Sequence, residues 1–175
     1  MKSLEIALDS VKPEKLVHNT VKIVKDNLVV HNDMYDLRSF RDVLIIGGGK
    51  ASAQMTLAIE KLLKDYSKIN FKGLINIPNS QIINNRSASS KIRMNLASHP
   101  IPDESGVNGT NLMFSYVDNT TKDDLIIFLL SGGGSALLPM PKQDITLADL
   151  QETNSLLIAS GASIHEINTI RKHLS

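Results

Sequence analysis

Leu125-Ile126-Ile127-Phe128-Leu129-Leu130-Ser131-Gly132-Gly133-Gly134-Ser135 is the stretch on which the fold turns. Six apolar residues in succession are too few to cross a bilayer and suit a strand buried on both faces. Three glycines between two serines then end that strand. A second stretch repeats the arrangement: Val43-Leu44-Ile45-Ile46 runs into Gly47-Gly48-Gly49, and Ala51, Met55, Ala58, Ile59 and Leu62 mark one face of a helix opening near Lys50.

Working outward, residues 71–77 read as a further strand and residues 93–97 as another. Residues 78–92, rich in Asn and Ser without periodicity, read as a surface loop. In His99-Pro100-Ile101-Pro102-Asp103 two prolines exclude regular structure, and a helix follows with Leu112, Met113, Tyr116 and Val117 on one face. Thr146 with Asp149, and Ser163 with Glu166, have the spacing of capping boxes and predict two closing helices, with Gly161 as the left-handed stop between them. In the last helix Ile164, Ile167, Ile170 and Leu174 are expected to face inward. Near the start, Leu16, Val17, Thr20, Val21 and Val24 recur at helical spacing after Pro13.

Strands that alternate with helices and are apolar on both faces imply an α/β fold, an open parallel sheet with helices on both faces, Rossmann-like. Neither a repeat nor a linker divides residues 1–175, so one α/β unit is expected.

Composition narrows the chemistry. The chain has 175 residues, 42% of them hydrophobic and 21% charged, which suits a soluble globular protein with a real core. A net charge of +1 gives no footprint for nucleic acid. There is no cysteine, which removes disulfides, thiolate metal sites and cysteine nucleophiles. The first residues carry no signal-peptide pattern, and no membrane span is evident, so a cytoplasmic location is expected.

Both glycine clusters fall between a strand and a helix, where parallel sheets bind ligands. Glycine lets a ligand approach the backbone, and the N–H groups there attract anions. The first cluster is not a P-loop: position 44 is Leu where that pattern needs Gly, and Ala51 follows Lys50. As a dinucleotide fingerprint it is partial, with Ser52 in the last place and Ile77-Pro78-Asn79-Ser80 offering no ribose-binding acid. On its own it reads as a tight turn with a surface lysine. The second cluster is more specific, since its serines can donate to a carboxylate or phosphate. His99 and Asp103 read equally as a structural loop and as direct ligand contacts. No further metal ligands stand at suitable positions around them. Residues 171–173, on residue type, read as a solvated helix face.

Taken together, Gly47-Gly48-Gly49-Lys50-Ala51, His99-Pro100-Ile101-Pro102-Asp103-Glu104, Ser131-Gly132-Gly133-Gly134-Ser135-Ala136-Leu137, Ile164-His165-Glu166-Ile167-Asn168 and Arg171-Lys172-His173-Leu174-Ser175 follow an order that resembles the class II glycerate kinases. These are two-domain glycerate 2-kinases with a carboxyl-terminal MOFRL domain. The resemblance runs from about Val43 to Ser175 and is looser before that. It implies transfer of the ATP γ-phosphate to the C2 hydroxyl of D-glycerate, with Mg²⁺ or another divalent cation, in a cleft between domains.

By that resemblance Lys50 and Arg171 would be catalytic. Gly48, Gly49, Ser131, Gly132, Gly133, Gly134, Ser135 and Asn168 would hold substrate or phosphate, with His99 and Asp103 as further candidates. The proton acceptor and the metal ligands stay unassigned. Ser52 replaces an alanine common in the family, and residues 78–92 lack a glycine-containing segment that many members carry.

Family members continue past the Arg-Lys-His-Leu-Ser motif into the rest of the first domain and the second domain. The resemblance therefore implies that residues 1–175 form an amino-terminal portion, weak or inactive alone for want of one cleft wall. A missing carboxyl-terminal segment or a second copy of the chain would be its partner. Two other readings stand beside it: an NAD(P)-dependent hydroxypyruvate reductase, and a non-catalytic ligand-binding or assembly subunit.

Overall fold

The computed structural model describes residues 2–81 and 91–175. The part of the expected surface loop at residues 82–90 lies outside the described residues. In chain order the elements are α1 (Lys2–Ser10), α2 (Pro13–Thr20), β1 (Val21–Val24), β2 (Asn27–Val30), β3 (Asp33–Asp36), β4 (Asp42–Gly48), α3 (Ser52–Tyr66), β5 (Asn70–Pro78), β6 (Ile92–Ala97), α4 (Glu104–Asp118), β7 (Asp124–Leu130), α5 (Gly134–Leu137), α6 (Leu147–Ala159) and α7 (Ile164–Leu174). A 3₁₀ turn, Leu37–Ser39, precedes β4.

The parallel sheet is the centre of the fold, with strand order β6-β5-β4-β7. Val43, Leu44, Ile45 and Ile46 on β4 are all buried, as a both-faces-apolar run requires. Each such side chain contributes about 1.5–3 kcal/mol of burial. Alternation assigns them to the two faces. Val43 and Ile45 join Ala58, Ile59 and Leu63 of α3, while Leu44 and Ile46 join Met113 of α4. Helices thus cover both faces of the α/β sheet.

The outermost strand departs from that picture. Register pairs Leu44 with Ile126 and Ile46 with Phe128, so Ile126, Phe128 and Leu130 share the α4 side of the sheet. Helix α4 does not reach them, and Phe128 and Leu130 are 54% and 58% exposed. The most apolar strand in the sequence is a sheet edge, with one face open onto a groove of about 460 Å³ beside Met113 and Phe114.

The amino-terminal reading also needs correcting. The helical run from Pro13 ends at Thr20. Val21 and Val24 belong to β1, which pairs antiparallel with β2 in a separate three-stranded sheet, order β1-β2-β3. β-branched residues suit both readings of so short a window, and the Lys25-Asp26 turn decides for the strand, Lys25 adopting a φ of 57°. Both closing capping boxes form, and Gly161 has the left-handed φ of 72°. In α7 only part of the expected inward face is covered: Ile167 is buried, whereas Ile164 and Ile170 are exposed.

Among the described residues, no helix is long and apolar enough to cross a membrane.

Candidate functional site

Parallel register brings the ends of β4 and β7 side by side, Gly48 opposite Leu130, so the two glycine clusters emerge together. They are fastened to each other. The Lys50 N–H donates to the Gly132 carbonyl at 2.8 Å, and the Ser131 N–H donates to the Gly48 carbonyl at 3.3 Å. The Ala51 N–H donates to Ser131 Oγ at 3.0 Å, and the Gly49 N–H to the Asn76 carbonyl at 3.2 Å.

The first cluster therefore does not present its N–H groups to a ligand. Its glycines serve close approach: a side chain at Gly47 would collide with the Leu129 carbonyl and one at Gly49 with Ser131 Oγ, and both positions have φ near +140°. Gly48 packs against Leu138. Ser131 is likewise occupied as an acceptor inside the structure.

The second cluster is built differently. The N–H groups of residues 132–135 find no acceptor among the described residues. Gly132 and Ser135 are exposed, and Gly133 takes a φ of +91°. A methyl group at Gly133 would lie 3.0 Å from His99 Cδ2, 3.1 Å from His99 Nε2 and 3.4 Å from Lys50 Cγ. Glycine is needed here because the imidazole and the lysine stem both rest against its α-carbon. Lys50 itself is exposed, and Gln81 donates to its carbonyl, fixing the backbone from which the side chain extends.

A cavity of about 250 Å³ opens at this point, lined by His99, Gly133 and Ser135 on one side and Asn154, Asn168 and Arg171 on the other. A second hollow of about 380 Å³ shares Ser135, Asn154, Asn168 and Arg171 and adds Lys172. Helix α7 delivers Asn168 and Arg171 one turn apart on a common face. Arg171 Nε donates to Asn154 Oδ1 at 2.6 Å, which anchors one edge of the guanidinium.

Asn154 is a site residue that sequence reading missed. Its signal is a polar residue only 6% exposed on α6, which is a burial fact rather than a motif.

The electrostatics favour an anion. Among the described residues, neither Lys50 nor Arg171 forms an ion pair with a carboxylate. Burial, and then the nearby Lys50 charge, push the His99 imidazole below its ordinary pKa. Asp103 is otherwise engaged, capping α4 by accepting from the Gly106 N–H at 2.8 Å.

Of the residues expected at the site, Lys50, Gly133, Ser135, Asn168, Arg171 and His99 converge on one place. Gly48, Gly49 and Ser131 support it from beneath. Among the described residues, no group of three His, Asp or Glu side chains stands where it could hold a metal ion.

The fold and this cavity define an α/β protein with a polar cavity, lined by His99, Ser135, Asn168 and Arg171, at the carboxyl ends of its parallel strands. Its kinship is direct: the chain belongs to the family described as "Domain of unknown function (DUF4147)", which matches residues 1–175. It is 35% identical over 171 residues to the glycerate 2-kinase of Pyrococcus horikoshii, covering 97% of this chain and 36% of that protein. It is 38% identical over 132 residues to a putative hydroxypyruvate reductase of Agrobacterium vitis, covering 75% of this chain and 28% of that one. A crystal structure of a Pyrococcus horikoshii protein superposes with a TM-score of 0.83 at 34% identity, over 99% of this chain and 38% of the other. The chain spans about a third of the length of these relatives.

Proposed function

We propose that this chain carries the substrate-holding part of a D-glycerate 2-kinase, in which the C2 hydroxyl of D-glycerate takes the γ-phosphate of ATP to give 2-phosphoglycerate. The observation that carries the reading is the set of four N–H groups at residues 132–135 that find no acceptor among the described residues, on a loop whose Gly133 lies against the Lys50 stem and lines one cavity with Arg171.

Phosphoryl transfer asks a protein mainly to position reactants and to neutralise spread negative charge. In this reading the loop N–H groups bind oxyanion oxygens of the substrate. Arg171, steadied by Asn154, and Asn168 orient them. Lys50 extends from a backbone pinned to Gly132 and neutralises charge that grows in the transition state.

ATP is the donor the reaction needs. Magnesium would supply charge neutralisation on its phosphates, but the described residues offer no carboxylate cluster to hold it, and no step is assigned to it. The chain matches only 36% of the Pyrococcus horikoshii glycerate 2-kinase, so residues 1–175 assayed by themselves are expected to be weakly active.

The reductase reading has one finding in its favour, the name carried by the Agrobacterium vitis relative. Against it, the first glycine turn has no free N–H row for a pyrophosphate, because Gly49 and Lys50 spend theirs on Asn76 and Gly132. Strand β5 ends at Pro78 without an acid for a ribose hydroxyl. Incubation with hydroxypyruvate and NAD(P)H, followed by absorbance, separates the two. The kinase reading predicts no nicotinamide oxidation, and steady oxidation by the purified protein would replace it.

A further inference from the structure

We propose that His99 takes up a proton when an oxyanion enters the cavity beside Gly133, and so becomes a third positive group around the bound ligand with Lys50 and Arg171. The inference rests on the anion-binding reading of this site and adds a role that the reading leaves unassigned.

The geometry carries it. The Cδ2–Nε2 edge of the imidazole lies against Gly133, close to the Lys50 stem, and the ring shares its cavity with Arg171 and Asn168. The groups that face His99 can be named element by element. Lys50 comes from the β4–α3 turn, Gly133 and Ser135 from the β7–α5 loop, Asn154 from α6, and Asn168 and Arg171 from α7. None of these is a carboxylate. Asp103, the acid nearest in sequence, spends Oδ1 on the α4 cap.

Burial and then the Lys50 charge both oppose protonation of the ring. An arriving carboxylate or phosphate reverses the balance. It offsets Lys50 and Arg171 and offers Nε2 an acceptor, which favours the imidazolium. The proton comes from solvent, so anion binding and proton uptake are linked. Affinity should accordingly rise as pH falls, by up to roughly tenfold for each unit by which the bound anion lifts the His99 pKa.

The test is calorimetric titration of the chain with inorganic phosphate and, separately, with D-glycerate. Each titration is run near neutral pH in two buffers of different ionisation enthalpy, so that the difference counts protons. The expected result is net uptake on binding, abolished in His99→Gln, with the variant's affinity no longer rising toward acid pH. Because that variant could fold poorly, NMR of the wild-type His99 ring across about pH 5 to 8, the range where imidazoles titrate, gives a second reading. Its pKa should rise when the anion is saturating.

Uptake with phosphate alone would identify a phosphoryl subsite, and uptake with D-glycerate alone a carboxylate subsite; either supports the proposal. Binding without uptake, or uptake that survives in His99→Gln, overturns it and leaves the anion-binding reading standing. If neither anion binds the folded chain, that reading fails together with the proposal.

Discussion

Gly49 and Gly133 meet opposite demands with the same residue type. At Gly49 the missing side chain lets one loop lie on another; at Gly133 it makes room for His99 and Lys50. Both glycine runs were visible in the sequence as strand-to-helix turns, but which of them faces a ligand was not, because that depends on hydrogen bonds between positions about eighty residues apart. The second run is the one whose N–H groups find no acceptor among the described residues. Lys50 and Arg171 were legible only through a family pattern, since on residue type alone each reads as surface charge.

Asn154 was not legible at all. It lies within a helix, and its importance is its contact with Arg171. Two predictions belong at this scale. Lys50→Met should lower phosphate transfer by about 10²–10³-fold. It should leave unfolding free energy within about 0.5 kcal/mol of wild type, since the side chain is exposed, and steady-state kinetics beside urea unfolding check both halves. Asn154→Ala frees the guanidinium from its anchor and should raise the KM for D-glycerate roughly tenfold, the worth of one charge-assisted hydrogen bond. A kinetic comparison in the active assembly decides this, and an unchanged KM would contradict the anchoring role.

Among the elements, β5 holds the loops in place through a single buried side chain. Asn76 is fully buried. Its Nδ2 donates to the Gly106 carbonyl at 3.0 Å and to the Leu137 carbonyl at 2.6 Å, while its Oδ1 accepts from Asn95 Nδ2 at 3.0 Å. One side chain thus ties β5, β6, α4 and α5 together just below the cavity. Asn76→Leu strands several buried polar groups and should cost about 3 kcal/mol or more. A shift in urea midpoint with an unchanged slope would show it, and a loss under about 1 kcal/mol would contradict the account.

Most elements could be read from local signals: the β-branched runs of β4 and β5, the Pro-bounded turn before α4, and the two Thr/Ser capping boxes. The antiparallel β1-β2-β3 sheet could not. Its strands are four residues long, and Val21 and Val24 fit a continuing helix as well as a strand until the turn at Lys25 is known.

Across the whole molecule, charge and open surface shape behaviour in solution. Several carboxylates are held below their ordinary range by partners in the folded chain. Asp36 is lowered to about 2 by Arg38, Asp149 is lowered by Thr146, Glu166 by Ser163, and Asp124 by Thr121 and then Arg41. A carboxylate whose folded pKa is depressed adds stability above its unfolded pKa and loses it as pH falls through the folded value. Thermal stability should therefore decline from about pH 5 toward about pH 2. Melting curves across that range check the sign, and a Tm that holds or rises on acidification would contradict it. The open face of β7 is the molecular-scale feature that sequence reading got wrong. An apolar run tells that a strand can be buried on both sides, but not whether a neighbour is there to bury it.

Transfer of phosphate from ATP to D-glycerate with Mg²⁺, with the product's phosphorylated carbon identified, is the most direct measurement. It is made with this chain alone and with the region that longer relatives carry supplied separately. The account predicts 2-phosphoglycerate when both pieces are present, little with the chain alone, and collapse of the signal in Lys50→Met. Two folded, associated pieces that yield no phosphoglycerate, or that yield it equally well with Lys50→Met, would contradict it.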